Sequence, residues 1–172
     1  MLEILAGAGA RATFFVVGEH VQRRPELARR IVDEGHTLAL HGHRHRLQLR
    51  MSARELTQDL ELGLAAIEDA AGITARHHRA PYGIYSAAGL RLARERSLAP
   101  LLWSAWGRDW RAHTTPERIA ARVLRDLAPD GVILLHDADF YSAGRSHERT
   151  APALELILAE LSSREIATVP VI

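Results

Sequence analysis

Two imidazoles four residues apart, in His41-Gly42-His43-Arg44-His45, are the first residues of the chain with an obvious chemistry. Neutral imidazole nitrogen is the commonest protein ligand for zinc and similar ions, so His41 and His45 suit half of a metal site. A histidine-rich loop is equally an ordinary solvated turn, and the pair alone leaves both readings open. His43 lies between them and reads as pointing elsewhere. Three more places carry chemistry: Arg79 ahead of the Pro81-Tyr82-Gly83 turn, Asp109-Trp110 in a polar loop, and His136 directly after an apolar run. A histidine there is either a proton-transfer group or one satisfied within the core.

The elements around them alternate. The run 12–18, Ala-Thr-Phe-Phe-Val-Val-Gly, suits a strand buried on both faces, and 37–40 is a second strand delivering the chain to the histidine loop. A helix is expected over 25–34, with Pro25 in its first turn and Gly35 past its end. Ser52-Ala53-Arg54-Glu55 is a capping box that opens a long helix through Leu56, Leu60, Leu64, Ile67 and Ala71, closed by Gly72. A short extended piece at 77–79, a helix capped by Ser86, a strand at 100–104 and a helix from Thr115 to about 128 follow. Residues 131–135 form the clearest strand, and a helix over 150–164 and a strand over 166–171 close the chain. Residues 1–9 read as a short amphipathic helix. Strands alternating with helices predict α/β architecture with parallel strands, in which ligands bind outside the C-terminal strand ends. His41, His45, Arg79, Asp109, Trp110 and His136 all follow strands, so they are expected on one rim.

Composition narrows the function. With 172 residues the chain is long enough for one well-cored domain, and we expect a single domain over 1–172. A formal charge of +1 gives no electrostatic case for nucleic acid. No apolar run approaches a membrane span, and residues 1–9 lack the pattern of a signal peptide. There is no Cys, hence no disulfide or thiol chemistry, and all 22 basic residues are Arg. Location and oligomeric state stay open.

In order and spacing these motifs resemble the polysaccharide deacetylase family, metal-dependent carbohydrate esterases, chitooligosaccharide deacetylases among them, built on a distorted (β/α) barrel. The strand 12–18 is similar to one of its strands. His41 to His45 is similar to its His-(Ser/Thr)-x-x-His motif, with Gly42 where Ser or Thr is usual. Arg79-Ala80-Pro81-Tyr82-Gly83, Asp109-Trp110 and Leu134-Leu135-His136 match three more of its motifs. The resemblance implies a hydrolase that removes N- or O-acetyl groups from a carbohydrate.

It also implies roles. His41 and His45 would hold a divalent metal, expected to be zinc, which polarises the acetyl carbonyl and acidifies a water. His136 would be the general acid for the leaving amine, with Asp109 orienting it or favouring its charged form. The Tyr82 N–H would help bind the oxyanion, and Trp110 and Leu134 would form the pocket for the acetyl methyl. Arg79 pairs, in the family, with the base Asp; its partner here is open, a surface ion pair included. Trp103, Trp106 and Tyr141 could stack on sugar rings. Asp137 and Asp139 could stand in as ligands.

One departure is marked. The family's first motif, a strand ending Thr-Phe-Asp-Asp-Gly that supplies base and third ligand, has no counterpart in these residues, which contain no Asp-Asp pair. Omitting a central strand would leave open sheet edges, so we expect an N-terminally incomplete domain, a barrel missing its first strand. In this form weak metal binding and little turnover are expected. The alternative is a catalytically silent fold that binds carbohydrate or metal. A His-x-His amidohydrolase using His41 and His43 would need a barrel of about 250 residues.

Overall fold

The computed structural model describes residues 1–170. In chain order, helix α1 (Leu2–Gly7) precedes strand β1 (Thr13–Val16), helices α2 (Gly18–Arg23) and α3 (Pro25–Asp33), and strand β2 (Thr37–Leu40). Then come α4 (Ala53–Ala71), β3 (His77–His78), α5 (Ala87–Glu95), β4 (Ala99–Pro100), β5 (Ala105–Trp106), α6 (Pro116–Asp126), β6 (Ile133–Leu134) and α7 (His147–Ser163). All the strand pairings are parallel, as the alternation of strands and helices predicts. Among the described residues, no helix is long and apolar enough to cross a membrane.

The chain divides into two compact units, one built on Ala12–Leu102 and one on Met1–Arg11 with Trp103–Val169. In the first, β1 to β4 form a sheet in that order. The ladder runs from Thr13 opposite Thr37 to Val16 opposite Leu40, then Leu40 opposite His78 and His78 opposite Pro100. Leu38, Ala39 and Leu40 are at most 1% exposed, which is why β2 reads as an unbroken apolar run. Helix α4 is capped as expected: Ser52 Oγ accepts from the Glu55 N–H, the Glu55 carboxylate accepts from the Ser52 N–H, and Gly72 ends the helix at φ +68°.

Its buried stripe is Leu56, Leu60, Gly63, Ala66, Ile67 and Ala70; Leu64, expected on it, is only half-buried. Gly63 takes that place because the helix passes hard against the sheet. A Cβ on Gly63 would lie 2.5 Å from Leu40 Cδ1 and 3.1 Å from the His43 nitrogen.

In the other unit β5 and β6 pair through Ala105–Ile133 and Trp106–Leu134. Helices α6 and α7 pack there around Ala120, Val123, Ile157 and Leu161. Three expectations need correction. The strand expected over 100–104 is two strands: β4 ends at Pro100, and at Ser104 the chain bends so that the Ser104 and Ala105 N–H groups both donate to Val132 O. Helix α7 begins at His147 rather than 150, because the Thr150 hydroxyl engages Asp109 instead of capping a helix end. Residues 166–170 form no strand; exposed Ile166 and Val169 find no apolar face, and position 171 lies outside the described residues. Helix α2 was not expected.

Candidate functional site

In the unit built on Ala12–Leu102, the end of β2 delivers His41 and the end of β3 delivers Arg79. The His41 N–H donates to Val16 O at 2.8 Å, extending the β1–β2 ladder by one bond. Beyond it the loop peptides are pinned from two sides. Gly42 O and His43 O accept from the Gly18 and Glu19 N–H groups at the start of α2, both at 3.0 Å. The His43 and Arg44 N–H groups donate to the two carboxylate oxygens of Asp59 on α4, also at 3.0 Å.

His41 Nδ1 lies 2.7 Å from Arg79 O. A carbonyl oxygen only accepts, so Nδ1 carries the hydrogen and Nε2 presents its lone pair. Burial, opposed in part by that same bond, pushes the His41 pKa down from 6.5 to about 3, so the ring is neutral. Neutral imidazole anchored through its other nitrogen to a carbonyl is the form in which histidine binds metals. The His45 ring lies 5.0 Å from the His41 ring, centre to centre. Two imidazoles bound through nitrogen to one tetrahedral ion, each nitrogen about 2.0–2.1 Å away, put their centres roughly 5 Å apart. The pair therefore fits a shared ion. Among the described residues, no group of three or more His, Cys, Asp or Glu side chains is gathered to hold one.

His43 is 9% exposed and packs against Gly18, where a Cβ would come within 2.8 Å of His43 Nδ1. That disfavours a His41–His43 metal pair. Gly42 adopts φ +79°, and a Cβ there would lie 2.8 Å from Asp59 Oδ2. The glycine that departs from the family's Ser or Thr is thus required by the loop's own conformation.

Arg79 is buried, not a surface residue. Its Nε and Nη2 donate to Leu101 O and Leu102 O at 2.8 and 3.0 Å, and the guanidinium stands 3.8 Å from the centre of the Phe15 ring. Burial lowers its pKa to about 10. Tyr82, in the 3₁₀ turn Pro81–Gly83, has φ +62°, a conformation few aromatic residues adopt, and its exposed ring packs edge-on against His45 at 4.6 Å. The turn's own bonds use the Gly83 and Ile84 N–H groups and leave out that of Tyr82.

In the unit built on Met1–Arg11 with Trp103–Val169, Asp109 and His136 meet directly. Asp109 is 1% exposed. Its Oδ2 accepts the His136 backbone N–H at 2.6 Å, and its Oδ1 accepts from His136 Nδ1 at 2.9 Å. A carboxylate on Nδ1 leaves Nε2 of His136 as the working nitrogen. Trp110 stacks edge-on against His136 at 5.8 Å, and Leu134 is 9% exposed. Trp103, Trp106 and Trp110 pack on one another at 5.5 and 4.8 Å. Asp139 accepts from the Arg145 N–H at 2.7 Å, which ties it to its own loop, while Asp137 is exposed.

Two residues at these places escaped the sequence reading. Asp59 sits three residues after Leu56 and four before Gly63, a carboxylate on the apolar stripe of α4; that misfit was a usable signal. Burial raises its pKa. Thr150, wholly buried, donates to Asp109 Oδ2 at 3.0 Å across 41 positions, and nothing local announces it.

Comparison with known proteins identifies the family. The polysaccharide deacetylase family model matches residues 1–100. A chitooligosaccharide deacetylase of Bradyrhizobium sp. (strain ANU 289) is 35% identical over 173 residues, which cover 95% of this chain and 78% of that protein. A family 4 carbohydrate esterase from Streptomyces lividans, solved with acetate, is similar with TM-score 0.86 and 26% identity over 97% of this chain and 82% of that one. A mutant of a family 4 pseudoenzyme from Bacillus anthracis, with restored enzymatic activity, gives TM-score 0.88 and 25% identity. There the match takes in 99% of this chain but 59% of that one, less than two thirds of its length. Deacetylases of this family are metal-dependent and act on acetylated carbohydrates, and the α/β fold is theirs. The chain belongs to the polysaccharide deacetylase family.

Proposed function

We propose that the chain carries the metal-binding and proton-transfer groups of a deacetylase acting on an N- or O-acetylated carbohydrate. One observation carries this reading: His41 and His45 stand at the spacing of a shared ion, with His41 Nδ1 anchored on Arg79 O. The ion, zinc in this reading, would be held by those two imidazoles and would supply Lewis-acid polarisation of the acetyl carbonyl and acidification of the attacking water. Arg79 acts through its carbonyl, which orients His41, while its buried guanidinium ties the turn to residues 101 and 102. The Tyr82 N–H, left out of its own turn, donates to the developing oxyanion. Trp110 and Leu134 bound the apolar space for the acetyl methyl. His136, held at Nδ1 by Asp109, would take a proton on Nε2 as the water attacks and pass it to the departing nitrogen or oxygen as the acyl bond breaks, giving acetate and the free amine or alcohol.

A second reading, a silent domain that binds metal or carbohydrate without turnover, is favoured by one fact. No third ligand side chain joins the pair among the described residues. Two imidazoles give modest affinity, so we expect the 172-residue chain to bind zinc weakly and to release little acetate from N-acetylglucosamine oligomers. The test is zinc content after dialysis together with acetate release from such oligomers. Vigorous release would refute the expectation of a near-silent chain. Zinc content unaltered by His41→Ala would refute the ligand assignment.

A further inference from the structure

We propose that Asp59 is the positioning residue of the histidine loop, its carboxylate fixing the peptides between His41 and His45 so that the two imidazoles keep the spacing a shared ion needs. The inference rests on the metal-binding reading above and names the group that makes it work.

Three residues lie between His41 and His45, and the four peptide units that join them can adopt many conformations unless their N–H and C=O groups are committed. On the α2 side the commitments are carbonyls, Gly42 O and His43 O. On the α4 side they are the N–H groups of His43 and Arg44, each on its own oxygen of Asp59. Two N–H groups on one rigid carboxylate set the orientation of two successive peptide planes together, which one acceptor could not do. The loop is shaped around this carboxylate. At Gly42 both the left-handed φ and the 2.8 Å that a Cβ would leave to Asp59 Oδ2 forbid a side chain. Gly63, one turn after Asp59, lets α4 approach until a Cβ would stand 3.1 Å from the His43 nitrogen. A helix that only packed against the sheet would continue Leu56 and Leu60 with another apolar residue. Instead the stripe carries a charged acceptor beside a cavity of about 10 Å³, lined also by Gln48 and His78 and large enough for roughly one water.

The test uses the whole 172-residue chain and zinc alone. Histidine-ring NMR during a zinc titration gives the dissociation constant for wild type, Asp59→Asn and Asp59→Ala, with circular dichroism of the metal-free forms as a check on folding. Replacing a partner that orients a ligand weakens metal binding by about 10–100-fold. We expect Asn, which keeps one acceptor but turns an NH₂ toward the other N–H, near the lower end and Ala near the upper. A purely structural Asp59 would lower the melting temperature and leave the dissociation constant of the folded protein unchanged, and that result would overturn the proposal. Should both variants fail to fold, amide exchange in metal-free wild type decides. Protected His43 and Arg44 amides support the clamp, and exchange at free-loop rates removes it. Wild type that takes up no zinc would instead strike down the metal-binding reading, and the proposal with it.

Discussion

Replacing Asp109 by Asn should invert the tautomer of His136. The carboxylate receives three hydrogen bonds: His136 N–H and Thr150 Oγ–H on Oδ2, and His136 Nδ1–H on Oδ1. An amide of the same shape has one acceptor atom. Placed at Oδ2 its oxygen keeps two of the three bonds, and the NH₂ then faces His136 Nδ1, which must shed its hydrogen and accept. The proton moves to Nε2, and the ring can no longer present Nε2 as a lone pair. The energetic cost can be bounded. Hydrogen bonds to a charged acceptor contribute about 1.5–3 kcal/mol and neutral ones about 0.5–1.5, so three bonds that change class lose roughly 3 kcal/mol. Relief from holding a carboxylate at 1% exposure offsets part of this, leaving a net loss of about 2 kcal/mol. For a chain of this size that lowers the melting temperature by about 4–8 °C. Nitrogen-15 NMR of the imidazole distinguishes the tautomers, and thermal denaturation reads the loss. Acetate release, wherever it is measurable, should fall about 10²–10⁴-fold. A wild-type tautomer together with an unchanged melting temperature would refute the dyad as described here.

Other expectations follow from the same structure. His41→Ala should abolish zinc uptake, read as metal per chain after dialysis, because it removes one of only two imidazoles in the pair. His78 is 1% exposed, and burial lowers its pKa from 6.5 to about 4. The unfolded chain therefore binds a proton below pH 6.5 that the folded chain refuses until about 4, and stability is complete above 6.5 and lost as pH falls through that window. Urea denaturation of the metal-free protein should show a loss between pH 6.5 and 4 to which buried His41 also contributes, and His78→Phe should make that loss smaller by about 2–3 kcal/mol; a loss equal to that of wild type would exonerate His78. Gly63→Ala gains about 1 kcal/mol of helix propensity but drives a Cβ to 2.5 Å from Leu40 Cδ1, at an overpacking cost of about 1–3 kcal/mol. We expect net destabilisation in denaturant melts, and a stabilised variant would mean that α4 has room to move away.

Much of this was legible in the residues themselves. A β-branched and aromatic run suits a strand, and β1 lies within 12–18, although its residues are half-buried rather than buried on both faces as expected. Ser52 and Glu55 cap a helix through bonds three residues apart, so the start of α4 needs no tertiary information. The expected neighbours His41, His45 and Tyr82 are packed ring to ring, and Asp109 and His136 do meet. What escaped was long-range. Whether 100–106 is one strand or two depends on which strand each peptide finds opposite it, and that pairing is absent from the propensities of Leu101 or Trp103. Thr150 reads locally as the first residue of a helix and proves to be a donor to a carboxylate 41 positions away.

By itself the sequence determined the α/β alternation, the capped helix starts at Ser52, Ser86 and Thr115 and the order of the family's motifs, because these depend on side chains within a few residues of one another. Only the tertiary structure decided which atoms of those motifs are committed: His41 Nδ1 to the Arg79 carbonyl, the loop amides to Asp59, and the Asp109 carboxylate to His136 and Thr150. A buried polar group must find its partner wherever the fold brings one, and spacing along the chain does not say where that is.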